Sequence, residues 1–190
     1  MMKDKTMASH STLLTALAWA CLLAPASFAQ DWIVDKDASL LRLTTHVSSE
    51  EVIGRFSEFD AAITLNPDDL STAHIDAVVQ TGSGHIAKSD YQSAMVGGAG
   101  LDITAHPEAR FVSERVVKTE TGYEAQGILT IKDHSQPAIL PFTLEIEGDR
   151  AIANGELVIQ RAEFGVGAAG WGSAAATITL NIHIEADRAQ

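Results

Sequence analysis

From Trp32 onward, apolar and polar positions alternate with a period of two, and a helical period is almost nowhere sustained. In "LLRLTTHV", Leu41, Leu43, Thr45 and Val47 share one face. "RFSEFDAAITL" does the same with Phe59, Ala61, Ile63 and Leu65, and "AHIDAVVQT" with Ile75, Ala77 and Val79. The pattern predicts further strands over 110–117, 123–131, 138–146, 151–161 and 177–185. In the last of these, Ile178, Leu180, Ile182 and Ile184 form one apolar row.

The links between these runs are short and rich in turn formers ("NPDD", "TETG", "EGDR"), which makes sequence neighbours antiparallel partners. About eight strands, each apolar on one face only, must hide those faces together, and closing the sheet also removes its edges. The expected fold is therefore all-β, an eight-stranded antiparallel barrel, with a two-sheet sandwich as the competing arrangement. Residues 82–104 break the alternation. Helix-compatible residues run from Ile86 to Met95, followed by three glycines in four positions. This segment predicts a short helix and a loop that cover one end of the barrel.

The first 29 residues lie outside the alternating pattern. Lys3 and Lys5 precede an apolar run from Leu13 to Ala24, and Ser27 and Ala29 place small residues at a cleavage point. This is the layout of a secretory signal peptide, and the run is too short to be retained as a span across roughly 30 Å of hydrocarbon. Two segments are expected: a leader over 1–29, cleaved near Ala29, and one exported domain over 30–190. Cys21 is the single cysteine and belongs to the leader, so disulfides, thiolate nucleophiles and Cys-ligated metals are excluded from the domain. The chain carries −12, and the leader contributes +1, which leaves the domain near −13. Such a surface repels phosphate backbones and anionic headgroups, arguing against a nucleic-acid partner.

Candidate chemistry is sparse. "TGSGHIA" resembles a dinucleotide fingerprint, but that motif requires a parallel sheet whose first strand is buried on both faces, and the strand before it alternates. His46, His74, His85, His106, His134 and His183 are scattered, with no pair at metal-ligand spacing. No G-x-S-x-G or S-x-x-K occurs, so no catalytic residue and no cofactor is assigned, and the chain reads as a binder rather than an enzyme.

The residue that does not fit is Arg161. In "LVIQRAEFGVGAAGW", Leu157, Ile159 and Arg161 fall on one face, so a guanidinium continues an apolar row. A charge aimed inward needs partners. Two readings follow. Arg161 forms a structural ion pair with Asp90 or Asp102, or it stands at the barrel mouth and binds a polar ligand head. Phe164 and Trp171 on the glycine-rich stretch would line the same rim or plug the core.

At these residues the chain resembles the YceI-like family. "WIVDKDASLLRL" is similar to that family's opening W-x-V-D strand, and "GRFSEFDAAI" to its Gly-x-Phe-x-x-Phe strand. "HPEARFVSERV", "YEAQGILTIKDHSQPAILPF" and "QRAEFGVGAAGW" resemble its P-x-A-x-F, G-x-L-T-I and R-x-x-F-G-V-G segments. Asp90 matches the aspartate of an Arg-Asp motif in which Ser89 replaces the arginine, and His46 falls one residue out of the inward register of Val47.

The resemblance implies an exported, lipocalin-like barrel whose tunnel holds a long isoprenoid lipid or isoprenoid quinone. It also implies association with b561-type membrane cytochromes. On that reading the tail lies along Phe59, Ile63, Leu129, Phe142, Leu157 and Ile159, and the head meets Arg161, Phe164, Trp171 and Asp90. The protein is expected as a monomer or homodimer that carries the lipid. The alternatives are a redox accessory that presents a quinone to a membrane cytochrome, and a filled barrel that acts as an envelope stress or interaction module.

Overall fold

The computed structural model describes residues 30–167 and 171–190; the expected leader lies outside the described residues. Eleven strands form one continuous antiparallel sheet. They are β1 (Asp31–Val34), β2 (Leu40–Val47), β3 (Glu50–Phe56), β4 (Phe59–Asn66), β5 (Asp69–Gln80), β6 (Gly84–Ile86), β7 (Glu108–Lys118), β8 (Tyr123–Ile131), β9 (His134–Glu147), β10 (Arg150–Gln160) and β11 (Thr177–Arg188). One α-helix, α1 (Ser89–Val96), lies between β6 and β7.

Eight of the strands close on themselves in the order β1-β4-β5-β7-β8-β9-β10-β11, with β11 pairing back onto β1. The closed eight-stranded barrel read from the alternation is therefore the core of the fold. Closure works because β11 has two partners along one edge. Its C-terminal end, Ala186–Arg188, pairs with β1, and Thr179–His183 pairs with β2. Between β1 and β2 a turn is held by Asp35, whose side chain accepts from the amides of Asp37 and Ala38 at 3.2 Å. From β2 the sheet continues through β3 to β6 and extends the wall at that end.

Burial follows the period-two pattern. Along β8, buried and half-buried residues alternate without a break from Tyr123 to Ile131. The sheet spreads its apolar inner rows over two packed groups. One is built on Trp32, Phe111, Tyr123, Phe142 and Leu157, with Tyr123 and Phe142 stacked 5.5 Å apart. The other, under α1, contains Leu43, Val52, Ile86 and Met95. Ile178 and Leu180 of β11 touch both.

The structure departs from the alternation in one long segment. "RFSEFDAAITL" is two strands, broken at Ser57–Glu58. Ser83 holds the break, its Oγ accepting from the Glu58 amide at 3.0 Å. An unbroken strand would send Phe56 and Phe59 to opposite faces, because they differ in parity. The break lets both rings face the interior.

Helix α1 covers one end, as the sequence predicts, although it starts at Ser89 rather than Ile86. It has no side-chain cap and is too short to stand alone. Gln92 docks it instead, accepting from the Ile86 amide at 2.7 Å and donating to the Gly84 carbonyl at 3.0 Å. Outside, Glu50 of β3 accepts from Lys88 and from the Tyr91 hydroxyl, both at 2.8 Å.

Candidate functional site: the barrel lumen

Inside the ring is a cavity of about 440 Å³, walled by the inward rows of β2, β4, β5, β7, β8, β9, β10 and β11 and roofed by Tyr91, Ala94 and Met95 of α1. That volume lies within the range in which small hydrophobic ligands are held. The space exists because small side chains interrupt the large ones. Ala61 and Ala77 face each other across β4 and β5, and Ala151, Ala153 and Gly155 follow one another on the inner face of β10. Larger residues at these inward positions would fill the lumen. The alternation in the sequence placed these residues indoors, but it does not report the volume they leave empty.

Of the residues expected along a ligand tail, Phe59, Ile63, Leu129, Phe142, Leu157 and Ile159 all line the cavity. Arg161 and Trp171 line it as well. Two expected contacts are placed elsewhere. Phe164 is only 2% exposed and packs into the main apolar core, as the plug reading had it, without lining the cavity. Asp90 sits exposed in the first turn of α1 and takes no part in the lining. Tyr91, Ala94 and Met95 fall together on the helix, whereas Asp90, one turn before Ala94, stands at the exposed start of it. His46 points outward and is exposed, as its register requires.

Arg161 opens a short 3₁₀ turn, Arg161–Phe164, at the end of β10. Its partners are neither Asp90 nor Asp102, and among the described residues no carboxylate pairs with it. It donates instead to backbone carbonyls of the segment that follows. Nε reaches Ala175 at 2.8 Å, one terminal nitrogen reaches Val166 at 3.0 Å and Gly167 at 2.7 Å, and the other reaches Trp171 at 3.3 Å and Ala174 at 3.4 Å. A guanidinium has five N–H donors, and these contacts use all five. Gly167 lies against Arg161, with a backbone φ of 76° and no room for a side chain. The Trp171 ring sits 5.7 Å from the guanidinium carbon. The arginine is thus the hub on which the returning chain is wound, and its positive charge is spread over carbonyl dipoles.

Several other polar groups at the cavity are also engaged. Thr45 donates to the Thr177 carbonyl at 2.9 Å and Thr81 to the His106 carbonyl at 2.7 Å. Asp60 is paired with Lys36 at 2.6 Å, and Arg110 holds Asp76 in a two-point contact. Their basic partners keep Asp60 and Asp76 below the usual carboxylate range, first through direct hydrogen bonds. No three potential metal ligands cluster among the described residues. The lumen offers an apolar surface with most of its polar side chains already bonded, so it suits a ligand that is apolar along most of its length.

Sequence reasoning missed a charged knot on the outer wall. Arg150 bonds Asp35 at 2.9 Å, Glu185 at 2.7 Å and Asp187 at 3.1 Å, tying β10, β11 and the β1–β2 turn together beside the closure. The signal was present in the outward parity of Arg150, Glu185 and Asp187, but only the register brings them side by side.

The YceI-like domain model matches residues 32–186, from the first strand of the barrel to the last. The chain belongs to the YceI-like family. It is 26% identical over 198 residues to a UPF0312 protein of Pseudomonas syringae pv. syringae, covering 94% of this chain and 97% of the relative. A UPF0312 protein of Pectobacterium carotovorum is 27% identical over 142 residues, covering 73% of this chain and 74% of that one. Among solved structures, Burkholderia cenocepacia BcnA superposes with a TM-score of 0.76 at 23% identity, over 80% of this chain and 98% of its own. A polyisoprenoid-binding domain from Saccharophagus degradans superposes at 0.64 with 11% identity, over 82% and 97%. At these identities the structural likeness establishes the fold, which this YceI-like chain shares with both.

Proposed function

We propose that this protein is a periplasmic carrier that holds one long-chain isoprenoid lipid in its barrel lumen and performs no catalysis. The observation that carries the reading is the cavity of about 440 Å³ lined almost wholly by apolar side chains. The Saccharophagus domain of the same fold, described as polyisoprenoid-binding, supports the ligand class. Burying apolar chain contributes roughly 0.8 kcal/mol per methylene, so a dozen buried carbons suffice for micromolar affinity without any polar anchor. A neutral head, such as an alcohol or a quinone, fits better than a phosphate. The one cation on the lining beside the aromatic rim, Arg161, has its five donors committed to carbonyls. Export follows from the leader-like residues 1–29, and a lipid of this kind needs a carrier to cross an aqueous compartment.

The test is native mass spectrometry of protein recovered from the periplasm of its own host, followed by organic extraction. One neutral prenyl lipid per chain, on a polypeptide beginning near Gln30, is the expected result. A polypeptide that stays bare after incubation with host lipid extract would refute the carrier reading.

A further inference from the structure

The wall of the barrel is not uniformly bonded. β9 and β10 pair from Glu147 and Arg150 only as far as Phe142 and Gly155. Both strands then continue, β9 back to His134 and β10 on to Gln160, and each keeps its other neighbour throughout. For residues 134–141 of β9 and 156–160 of β10 there is a partner on one side and none on the shared side.

The sequence maintains this gap. The Pro141 carbonyl faces β10, lying 3.1 Å from where a Cβ on Gly155 would sit, whereas the Phe142 carbonyl faces the β8 side at Gly122. Backbone groups alternate sides along a strand, so Pro137 and Pro141 both turn their nitrogens toward β10. Neither has an N–H, so two donors that the ladder would need are missing. Outside the gap, Ile139 and Val158 stand opposite each other in the continued register, each 54% exposed. Immediately behind them Leu140, Leu157 and Ile159 face the lumen. Apolar side chains therefore flank the seam on both its solvent and its lumen face, with the unpaired backbone groups of the two strand edges between them. The far end of the gap is tied by side chains alone: Gln136 donates to the Glu163 carbonyl at 3.4 Å, and Lys132 donates to the Gly165 carbonyl at 3.1 Å.

We infer that the lipid enters and leaves sideways, through the seam between β9 and β10. This inference rests on the carrier reading above. The seam between Gln136 and Phe142 is roughly 20 Å long at the rise of a strand, enough for a chain to pass lengthwise. Across a paired stretch of wall a lateral passage would break a run of ladder bonds, each contributing about 1 kcal/mol net; here none has to be broken. Residues 69–75 of β5 and 113–118 of β7 are likewise unpaired with each other, but of these only Ile75 lines the cavity. Passage at the end covered by α1 would instead run past Tyr91, Ala94 and Met95, which the Gln92 and Glu50 attachments hold in place.

The experiment closes the seam reversibly. In a Cys21→Ser chain, Ile139→Cys with Val158→Cys is bridged by oxidation or by a short thiol-cleavable cross-linker. Glu145→Cys with Ile152→Cys, facing each other where the same strands are already paired, is the control. Anthraniloyl geranylgeraniol in phosphatidylcholine vesicles is the probe. Its transfer is followed in stopped flow by energy transfer from Trp32 and Trp171, both on the lining. Bridging the seam should slow uptake and release together by tenfold or more, leave affinity within twofold, and be undone by reductant; bridging the control pair should change rates less than twofold.

A bridged seam that exchanges lipid at the unbridged rate overturns the inference and leaves the carrier reading intact. A native chain that takes up no probe overturns both. If the cysteine pair does not fold, Pro137→Thr with Pro141→Thr decides, since it returns both donors to the open edge. Slower exchange supports the seam, and unchanged exchange in a protein whose seam amides have become protected from hydrogen exchange sinks it.

Discussion

Replacing Arg161 with methionine separates the two roles that the sequence left open for it. The side chain keeps nearly its length and apolar stem but loses every donor. Three of its five hydrogen bonds are short, to Gly167 at 2.7 Å, Ala175 at 2.8 Å and Val166 at 3.0 Å. At about 1 kcal/mol net for each of these, and allowing for half-buried carbonyls left without a donor, Arg161→Met should destabilise the fold by about 3–4 kcal/mol. That is a large share of the roughly 5–15 kcal/mol available to a domain. Arg161→Lys keeps the charge but concentrates three donors at one point, so it should recover less than half of the loss. Urea unfolding at equilibrium reads the effect as a fall in midpoint at constant slope. Probe affinity is measured in parallel below the transition. A stability loss under 1 kcal/mol, together with a tenfold or greater loss of affinity, would refute the reasoning: the guanidinium would then be serving the ligand and not the loop.

Three further outcomes are expected. Ala153→Phe puts a ring into the lumen and displaces up to six chain carbons; at ~0.8 kcal/mol each, affinity should fall by as much as three orders of magnitude while the melting temperature holds or rises, and unchanged binding in a calorimetric titration would place the chain elsewhere. Across a series of prenyl alcohols, affinity should climb with each added unit and then level off when the cavity is full; a series with no trend in length would contradict an apolar lumen as the source of binding. Arg150 holds Glu185 and Asp35 below their ordinary carboxylate values, chiefly by direct hydrogen bonds. The folded chain therefore binds fewer protons than the unfolded one in acid, so this stabilisation is complete above about pH 5 and is lost as pH falls through the lowered values. Arg150→Gln should be less stable at neutral pH and should lose less between pH 7 and pH 3, which denaturant midpoints across that range would check.

The barrel was legible because alternation is a local property. Each inward row, from Leu41 to Val47 or from Ile178 to Ile184, declares its face without reference to any other strand. What alternation cannot declare is a change of parity. The break at Ser57–Glu58 depends on Ser83, 25 residues away, and so the two strands around it read as one. The tail-lining residues were legible for the same reason as the fold, since an inward residue of a barrel faces the lumen by default. Asp90 was misplaced, and Phe164 was left open between rim and core, because both lie where strand periodicity stops, in the first turn of a helix and on a 3₁₀ turn. Arg161 was correctly read as needing partners. Their identity was hidden because backbone carbonyls leave no mark in a sequence, whereas carboxylates such as Asp90 and Asp102 draw attention to themselves.

The same point bears on what the lumen selects. Arg161, Thr45 and Thr81 spend their donors on carbonyls of the barrel's own turns and strands, and Asp60 and Arg110 face charged neighbours. Most polar groups near the cavity therefore build its ends and offer little directional contact for a head group, so discrimination among ligands falls mainly to length and girth. A binder of that kind distinguishes poorly between chains that differ by one methylene, at about 0.8 kcal/mol, and strongly against any chain that must bury an unpaired charge. Such selectivity suits handling a class of neutral lipids, and it makes passage through the wall the step at which the fold exerts control. The prolines of β9 act at that step: they cost the barrel two ladder donors beside the part of the lining formed by Leu140, Leu157 and Ile159.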